Sequence, residues 1–215
     1  MVGQGVLREC LLASDVEVVL VVGRTATGVS HPKLRETVVP DLFEVGAYEG
    51  ELSGFDACFF CLGVSSAGMT EEAYTRLTYE LTMKVAEALA RLTPSMTFVY
   101  VSGAGTDSSE HGRTMWARVK GRLENALLRL PFRAAYMFRP GFIVPLHGIK
   151  SKTKVYRIFY ALLKPVLPVA RRAFPNQVVT TEELGRAMLI VARHGALKRV
   201  LETEDLRALL RTRGS

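Results

Sequence analysis

The sequence predicts an α/β fold in which helices cover a mostly parallel sheet. Along the 215 residues, apolar runs of strand length alternate with segments whose apolar residues recur at helical spacing. Most of the strand-like runs end in a glycine or proline turn. The length suits one well-buried core, so we treat 1–215 as a single domain.

Five strands are predicted from runs rich in β-branched and aromatic residues. The first is VEVVLVVGR, whose unbroken valines predict burial on both faces of the sheet. The others follow as RETVVPDL, FDACFFCLG, MTFVYVSGAG and FRAAYMFRPG. The chain itself opens with MVGQGVLREC, which reads as a helix with two glycines and has no strand before it.

Three further helices are predicted by spacing and by end signals. Between Thr70 and Leu92, apolar residues four positions apart predict one buried stripe: Ala73, Leu77, Leu81, Val85 and Leu89. The segment TMWARVKGRLENALLRL gives a second buried set: Met115, Val119, Leu123, Ala126, Leu127 and Leu130. The segment TTEELGRAMLIVARHG begins with a threonine cap and stops at Gly195.

Composition excludes several classes of protein. No window reaches the roughly 18 apolar residues of a membrane span, and no cleavable leader is recognisable, which predicts a cytoplasmic protein. Cys58 and Cys61 have the spacing of a zinc or redox pair, but on a strand residues three apart point to opposite faces, so we interpret both as buried thiols. The four histidines lie far apart, and no metal site is predicted.

Four motifs in a fixed order carry a family resemblance. FCLG, VSGAG, WARVK and FRPG resemble the corresponding signatures of the atypical short-chain dehydrogenase/reductases, an NAD(P)-binding family with Tat-interacting-protein-like and NAD-dependent epimerase/dehydratase-like members. The resemblance runs from Met1 to about Arg193. It implies a Rossmann-like doubly wound sheet with a small C-terminal substrate region, and it leaves the first strand of that sheet missing.

The resemblance also implies a dinucleotide site. Gly3 stands at the third glycine of the family's G-x-x-G-x-x-G turn. Arg24, about twenty positions on, favours the 2′-phosphate of NADP over the bare ribose of NAD, although a solvated turn arginine is the alternative. The other expected cofactor contacts are Asp41, Leu62, Gly63, Lys120, Pro140 and Gly141. For the last two, a simple strand-ending turn is the alternative reading.

Trp116 and Lys120 occupy the positions of the family's catalytic tyrosine and lysine. Side chains four apart on a helix share a face, which explains the spacing of that pair. An indole donates a hydrogen bond but delivers no proton near neutral pH, so the usual general acid is absent. Ser102 is similar to the family's carbonyl-polarising serine, and water or His111 would then supply the proton. Trp116 reads equally well as a packing residue.

These features imply an NADP-linked oxidoreductase acting on a carbonyl or a related small apolar substrate. The alternative is a non-catalytic NADP(H)-sensing or partner-binding scaffold that has lost the catalytic tyrosine. Sequence does not decide whether the chain is an enzyme, nor whether it forms a dimer.

The net charge of +7 arises in one basic segment. Seven lysines and arginines and no acidic residue lie between Gly148 and Phe174. We interpret residues 146–180, which include this basic segment, as a lid over the substrate. Contact of 148–174 with an anionic membrane surface and a merely solvated face are the alternatives. No nucleic-acid-binding module accompanies the charge, so no nucleic acid partner is expected.

The missing first strand has two explanations. The natural reading frame could begin about ten to fifteen residues upstream, which is one strand and a turn. Otherwise the chain is complete, and its remaining strands close the gap directly or through a second subunit.

Overall fold

The computed structural model describes residues 1–149 and 177–213. Within these ranges the sequence folds into strands alternating with helices, as expected from its apolar periodicity. The helices are Val2–Leu12 (α1), Glu71–Thr75 (α2), Leu81–Leu92 (α3), Met115–Leu127 (α4), Thr181–His194 (α5) and Thr203–Arg213 (α6). The strands are Val19–Gly23 (β1), Leu34–Val38 (β2), Ala57–Phe60 (β3), Thr97–Val101 (β4), Ala134–Arg139 (β5), Phe142–Val144 (β6), Val178–Thr180 (β7) and Val200–Glu202 (β8).

The described strands form three sheets, and every pairing is parallel. The largest sheet has the order β3-β4-β5-β8, while β1 pairs with β2 and β6 pairs with β7. Parallel neighbours need crossover connections. Helices α2 and α3 lie between β3 and β4, α4 lies between β4 and β5, and α5 precedes β8, whereas residues 24–33 join β1 to β2 without a helix. The α/β class with a mostly parallel sheet, predicted from the sequence, is confirmed.

Strand β4 divides the core into two layers. Phe98 and Tyr100 pack on one face with residues of α3 and α4, whereas Val99 packs on the other face with residues of α1, α5 and α6. This alternation follows from the two-residue period of a strand. The sheet therefore lies between two helical layers.

Gly5 of α1 and Gly185 of α5 allow these two helices to pack closely on each other. A Cβ added to Gly5 would lie 2.6 Å from the Cβ of Thr181, and one added to Gly185 would lie 2.7 Å from the Cγ of Glu9. Any larger residue at either position would push the helices apart. The second glycine of MVGQGV thus serves helix packing.

The predicted helix 70–92 forms, but part of its buried stripe was predicted wrongly. A π-helical turn, Arg76–Glu80, separates α2 from α3 and holds one extra residue per turn. Up to and within this turn the buried residues are Tyr74 and Thr78, whereas the expected Ala73 is exposed and the expected Leu77 is 39% exposed. After it the expected Leu81 and Leu89 are buried.

The other two helices, which were predicted from the spacing of apolar residues and from end signals, form as expected. Val119, Leu123 and Leu127 of α4 are buried, as expected from their spacing. Helix α5 begins with a capping box, in which Glu183 N donates to Thr180 Oγ1 and Thr180 N donates to the Glu183 carboxylate. It ends at Gly195.

Strand β1 is less buried than its valines predicted. All five of its residues are half-buried, and the same holds for β3. Residues of both strands pack into the same two core layers, yet no ladder joins β1 to β3 among the described residues. The prediction of full burial was wrong because one edge of each strand lacks a neighbour, and the strands do not close this gap directly.

The segment interpreted as a lid is described at its two ends. Residues 146–149 follow β6, and residues 177–180 contain β7, which pairs with β6 through Phe142 and Val178. Because this pairing is parallel, the chain leaves at the carboxyl end of β6 and returns at the amino end of β7. The remainder of the lid prediction lies outside the described residues.

Candidate functional site

The loops after β4 and β5 stay together beyond the ends of their strands. Ser102 N donates to Phe138 O at 2.8 Å, and Ala104 N donates to Pro140 O at 2.9 Å. These bonds continue the β4–β5 pairing toward the carboxyl edge of the sheet. In open α/β sheets ligands bind at this edge.

Ser102 lies at this edge with its hydroxyl directed inward. The residue is 8% exposed, and its Oγ contacts the carboxylate of Glu124 and lies 3.1 Å from Phe138 O. A hydroxyl has one proton to donate. In this arrangement the proton goes to a buried acceptor and not to the cleft.

Glu124 and Arg139 form a buried ion pair behind Ser102. Arg139 Nε lies 3.1 Å from each carboxylate oxygen of Glu124, and its terminal nitrogens contact Glu124 at 2.5 Å, Ser108 Oγ at 2.5 Å and Glu202 at 3.3 Å. The Glu124 side chain is 1% exposed. The pair links α4, β5 and β8 with the loop after β4.

Lys120 approaches the same edge from α4. Its Nζ donates to the backbone carbonyl of Ser102 at 2.5 Å, and its side chain is partly buried. Burial lowers the pKa of this ammonium to about 8, and the negative charge of Glu124 opposes the shift. Lys120 therefore exchanges its proton far closer to neutral pH than an ordinary lysine.

Trp116 lies one helical turn before Lys120. Its ring faces the loop after β4, because a Cβ added to Gly105 would be 3.6 Å from Trp116 Cη2. Gly105 has a φ of +83°, a conformation that favours glycine. Trp116 is half-buried, so its ring both packs on this loop and keeps part of its surface in solvent.

Gly121 lets the loop after β4 lie directly on α4. A Cβ at this position would be 1.7 Å from the carbonyl oxygen of Asp107. Asp107 also closes its own loop, since its carboxylate accepts from Ser109 N at 3.0 Å and from Gly112 N at 2.6 Å. Bonds from Ser109 and Gly112 lower the pKa of this carboxyl.

Gly141, which follows Pro140, lines a cleft of about 370 Å³. Gly141 N donates to Thr203 Oγ1 at 2.8 Å, and a Cβ at Gly141 would lie 2.4 Å from the Gln177 carbonyl oxygen. The glycine is therefore required by close approach to protein backbone. Phe142, Gln177 and Thr203 also line the cleft.

Gly3 and Gly63 lie at the carboxyl end of β3. Gly3 is in the first turn of α1, and a Cβ there would be 3.5 Å from the Cβ of Cys61. Leu62 and Gly63 are exposed, and no atom lies within 4 Å of a Cβ built on Gly63. The first turn of α1 thus packs beside Cys61, and a side chain at Gly63 would meet no neighbouring atom.

Arg24 and Asp41 follow β1 and β2. Both are exposed, and Val39 N donates to Gly23 O at 2.9 Å, which keeps the two strand ends together. The Asp41 carboxylate accepts from Phe43 N at 2.9 Å within its own turn. Neither residue takes part in the hydrogen bonds that join Ser102 to Lys120.

The cysteines occupy opposite faces of the sheet. Cys58 packs in the layer of α3 and α4, and Cys61 packs in the layer of α1 and α5. Burial raises the pKa of both thiols to about 12. Within residues 1–149 and 177–213, no group of three metal-ligating side chains comes together.

Residues 148–174 were interpreted as part of a lid or as a membrane contact. Of these residues, 148 and 149 belong to the described part of the chain, and the others lie outside it. Across the ranges that the structure describes, none of the helices combines the length and the apolar character needed to cross a bilayer.

Sequence reasoning did not identify Glu124 and Arg139. Two signals were present: a glutamate next to Leu123 on the apolar face of α4, and an arginine at the end of a strand that is otherwise apolar. Charged side chains in such positions are buried in pairs. The pairing itself could not be read from the sequence.

Comparison with known proteins found a similar curated protein and several similar solved structures. No protein-family model matches it. Protein HTATIP2 of Rattus norvegicus is 27% identical over 145 residues, which are 66% of the chain and 58% of that protein. The chain therefore spans less than two thirds of the length of this curated relative.

Solved structures match over nearly the whole chain. WbmG of Bordetella bronchiseptica, solved in complex with NAD, has a TM-score of 0.66 and 12% identity over 100% of this chain and 76% of that chain. ADP-L-glycero-D-manno-heptose-6-epimerase of Helicobacter pylori has a TM-score of 0.64 and 15% identity over 99% and 79%. The resemblance predicted from the sequence is therefore confirmed: the chain has a Rossmann-like α/β fold and is similar to proteins of the short-chain dehydrogenase/reductase type.

Proposed function

We propose that the chain is an NADP-linked oxidoreductase of the atypical short-chain dehydrogenase/reductase type, acting on a carbonyl of a small apolar substrate. The observation that carries this proposal is the contact between Lys120 and Ser102 at the carboxyl end of β4. It joins an ammonium group to the loop that borders Pro140 and the cleft.

The residues at this edge fit an adenine dinucleotide. The first turn of α1 packs beside Cys61 at the carboxyl end of β3, and a helix N-terminus attracts phosphate. The exposed Arg24 would bind a 2′-phosphate, and Lys120 would hold ribose hydroxyls. NADP(H), when bound, supplies the hydride exchanged with the substrate carbon.

The chain's own residues then orient and polarise the substrate. Phe142 offers apolar surface at the cleft beside Glu202 and Glu204, and it would contact the apolar part of the substrate. Ser102 can polarise a carbonyl once its hydroxyl turns away from Glu124. Arg139 keeps the Glu124 carboxylate paired during such a turn, because it contacts both carboxylate oxygens.

A non-catalytic NADP(H)-sensing scaffold is the second candidate. Two observations favour it: the Ser102 hydroxyl is bound to Glu124, and Trp116 offers no transferable proton near neutral pH. A sensor has to bind the dinucleotide but does not have to polarise a substrate carbonyl. Binding and turnover therefore have to be measured separately.

The experiment is a titration with NADPH and NADH, monitored by the fluorescence of Trp116, the single tryptophan of the chain. We expect saturable quenching by NADPH and weaker binding of NADH. Arg24→Ala should weaken NADPH binding about tenfold or more and leave NADH unchanged, because one charged contact to the 2′-phosphate is lost. Arg129→Ala, at an exposed position two residues beyond the end of α4, is the control.

Absence of quenching by either nucleotide would contradict both candidates. Equal affinity for the two nucleotides, unaffected by Arg24→Ala, would contradict the preference for NADP. Binding without consumption of NADPH in the presence of carbonyl compounds would favour the sensor.

A further inference from the structure

We propose that an extended segment of another polypeptide inserts between β1 and β3 as an additional strand that is hydrogen-bonded to both. This inference is independent of the proposed function, because it concerns two strand edges and not the loops after β4 and β5. We call the space between these edges the β1–β3 slot. One of its walls is Val19–Gly23, and the other is Ala57–Phe60.

The open edge of β1 faces β3. Helix α1 contacts both strands, and residues of both strands pack into the same two core layers. Strand β2 lies on the other side of β1, where it pairs with β1 and leaves three of its five residues exposed. The two sheets therefore present unpaired edges to each other, since no ladder joins them in the described part of the chain.

Helix α1 also indicates the width of the slot. An α-helix with its side chains is about 10–12 Å across, and here it contacts both strands. Two strands that flank a third strand lie about 9.5 Å apart, which is twice the usual spacing of neighbours. The covered width thus matches one inserted strand.

Backbone groups of β1 point into the slot at alternate residues. Val19 N donates to Lys33 O at 2.8 Å, so Val19 faces β2. The backbone groups of successive strand residues point to opposite sides, and the ladder with β2 uses every second residue. The N–H and C=O groups of Leu20 and Val22 therefore point into the slot.

Backbone groups of β3 point into the slot from the opposite wall. Thr97 N donates to Asp56 O at 2.9 Å, so Asp56 faces β4. By the same alternation, the N–H and C=O groups of Ala57 and Phe59 point into the slot. Each wall thus offers donors and acceptors at two successive ladder positions, as an inserted strand requires.

These unpaired groups are enclosed by apolar side chains. Leu20, Val22, Ala57 and Phe59 are all half-buried. Backbone donors and acceptors at such depth require hydrogen-bonded partners, and an extended peptide supplies partners to both walls at once. Because the slot lies between the two core layers, the inserted strand needs apolar side chains on both of its faces.

Strand β4 provides the sequence of the probe. It has a hydrogen-bonded neighbour on each side, and four of its five residues are buried. The probe is a fluorescein-labelled peptide that carries TFVYV between lysines, and its binding to the 215-residue chain is measured by fluorescence anisotropy. Two further peptides are N-methylated, one at the central valine and one at the phenylalanine and tyrosine, so that each loses the donors toward one wall.

We expect the probe to bind saturably and each N-methylated peptide to bind about tenfold or more weakly, because the ladder on one side is broken. Hydrogen exchange followed by mass spectrometry should show that the probe protects both Val19–Gly23 and Ala57–Phe60. Val200–Glu202, at the open edge of β8, is the internal control and should exchange as it does without the probe.

A proline substitution tests the slot from the protein side. Val22→Pro removes an N–H that points into the slot but keeps the ladder with β2, and proline is tolerated at such edge positions. It should weaken binding of the probe about tenfold or more. Val200→Pro is the matched control, because Met137 N donates to Arg199 O and the Val200 N–H points away from β5. This control should bind the probe like wild type.

The proposal is overturned by absence of saturable probe binding, by undiminished affinity of either N-methylated peptide, or by protection of one wall alone. Equal protection of Val200–Glu202 would also overturn it, since the probe would then pair with any open edge. Light scattering tests for a second copy as the occupant, and a dimer of the chain alone with Val19–Gly23 protected would overturn the proposal. The N-methylated peptides keep the test decisive if Val22→Pro does not fold.

Discussion

The hydroxyl of Ser102 donates a hydrogen bond to the carboxylate of Glu124, a side chain that is 1% exposed. A buried carboxylate is costly unless its lone pairs are satisfied, and here Ser102 and Arg139 satisfy them together. Ser102, which is expected to polarise a substrate carbonyl, therefore also helps to stabilise the buried ion pair of the site.

This relationship predicts a large effect of breaking the ion pair. Glu124→Ala should lower the free energy of unfolding by about 3–5 kcal/mol, because it leaves the Arg139 guanidinium partly buried without its main partner. Urea unfolding measures the change. Glu87→Ala, at an exposed position on α3, is the control and should change stability by less than about 0.5 kcal/mol. Similar values for the two variants would show that the pair contributes little.

The close packing of α1 on α5 predicts sensitivity at Gly5. Gly5→Ala should destabilise the protein by about 1–3 kcal/mol, because the new methyl group would lie 2.6 Å from the Thr181 Cβ. Gly46→Ala is the control, since no atom lies within 4 Å of a Cβ at that position. Thermal unfolding measures both, and a Gly5→Ala variant as stable as wild type would contradict the close approach.

The lowered pKa of Lys120 predicts a pH-dependent stability. Below pH 8 the lysine is charged in both states, and folding carries the full cost of burying the ammonium. Between about pH 8 and 10.5 the folded state binds fewer protons than the unfolded state, so the free energy of unfolding rises with pH.

Lys120→Met should remove this cost. At pH 7 we expect its free energy of unfolding to exceed that of wild type by on the order of 1–3 kcal/mol, with the difference shrinking toward pH 10.5. Urea unfolding across this pH range checks the prediction. A variant less stable than wild type at pH 7, or a difference independent of pH, would mean that the ammonium is not penalised by the fold.

The unpaired edges of β1 and β3 predict fast amide exchange. Hydrogen exchange followed by mass spectrometry should label Val19–Gly23 faster than Thr97–Val101, because β4 has a hydrogen-bonded neighbour on each side and β1 has one. Equal protection of the two strands would show that a further neighbour covers the β1 edge in solution.

Much of the fold was predictable because local chemistry specifies it. The capping threonine and the final glycine fixed the ends of α5, and the valine and aromatic runs identified the strands. The buried positions predicted before Leu81 were wrong because a π-helical turn adds one residue to the helix there. A prediction from four-residue spacing assumes a regular α-helix and does not include this extra residue. The prediction that β1 is buried on both faces was wrong because burial depends on which elements pack around a strand.

The candidate site was predictable only in part. The family resemblance indicated Ser102 and Lys120 as site residues, and their roles stay predictions. The structure adds that the Lys120 ammonium donates to the Ser102 carbonyl. The role of Gly5 in helix packing and the pairing of Glu124 with Arg139 were not predictable, because each depends on two elements far apart in sequence.

By itself the sequence determined the alternation of strands and helices and the order of its motifs, since apolar period and turn residues act over a few neighbouring positions. The tertiary structure alone decided where the Ser102 hydroxyl points, how far the Lys120 ammonium is desolvated and which strand edges have no partner. These properties arise from contacts between distant segments, and burial and pairing are defined only once those segments have come together.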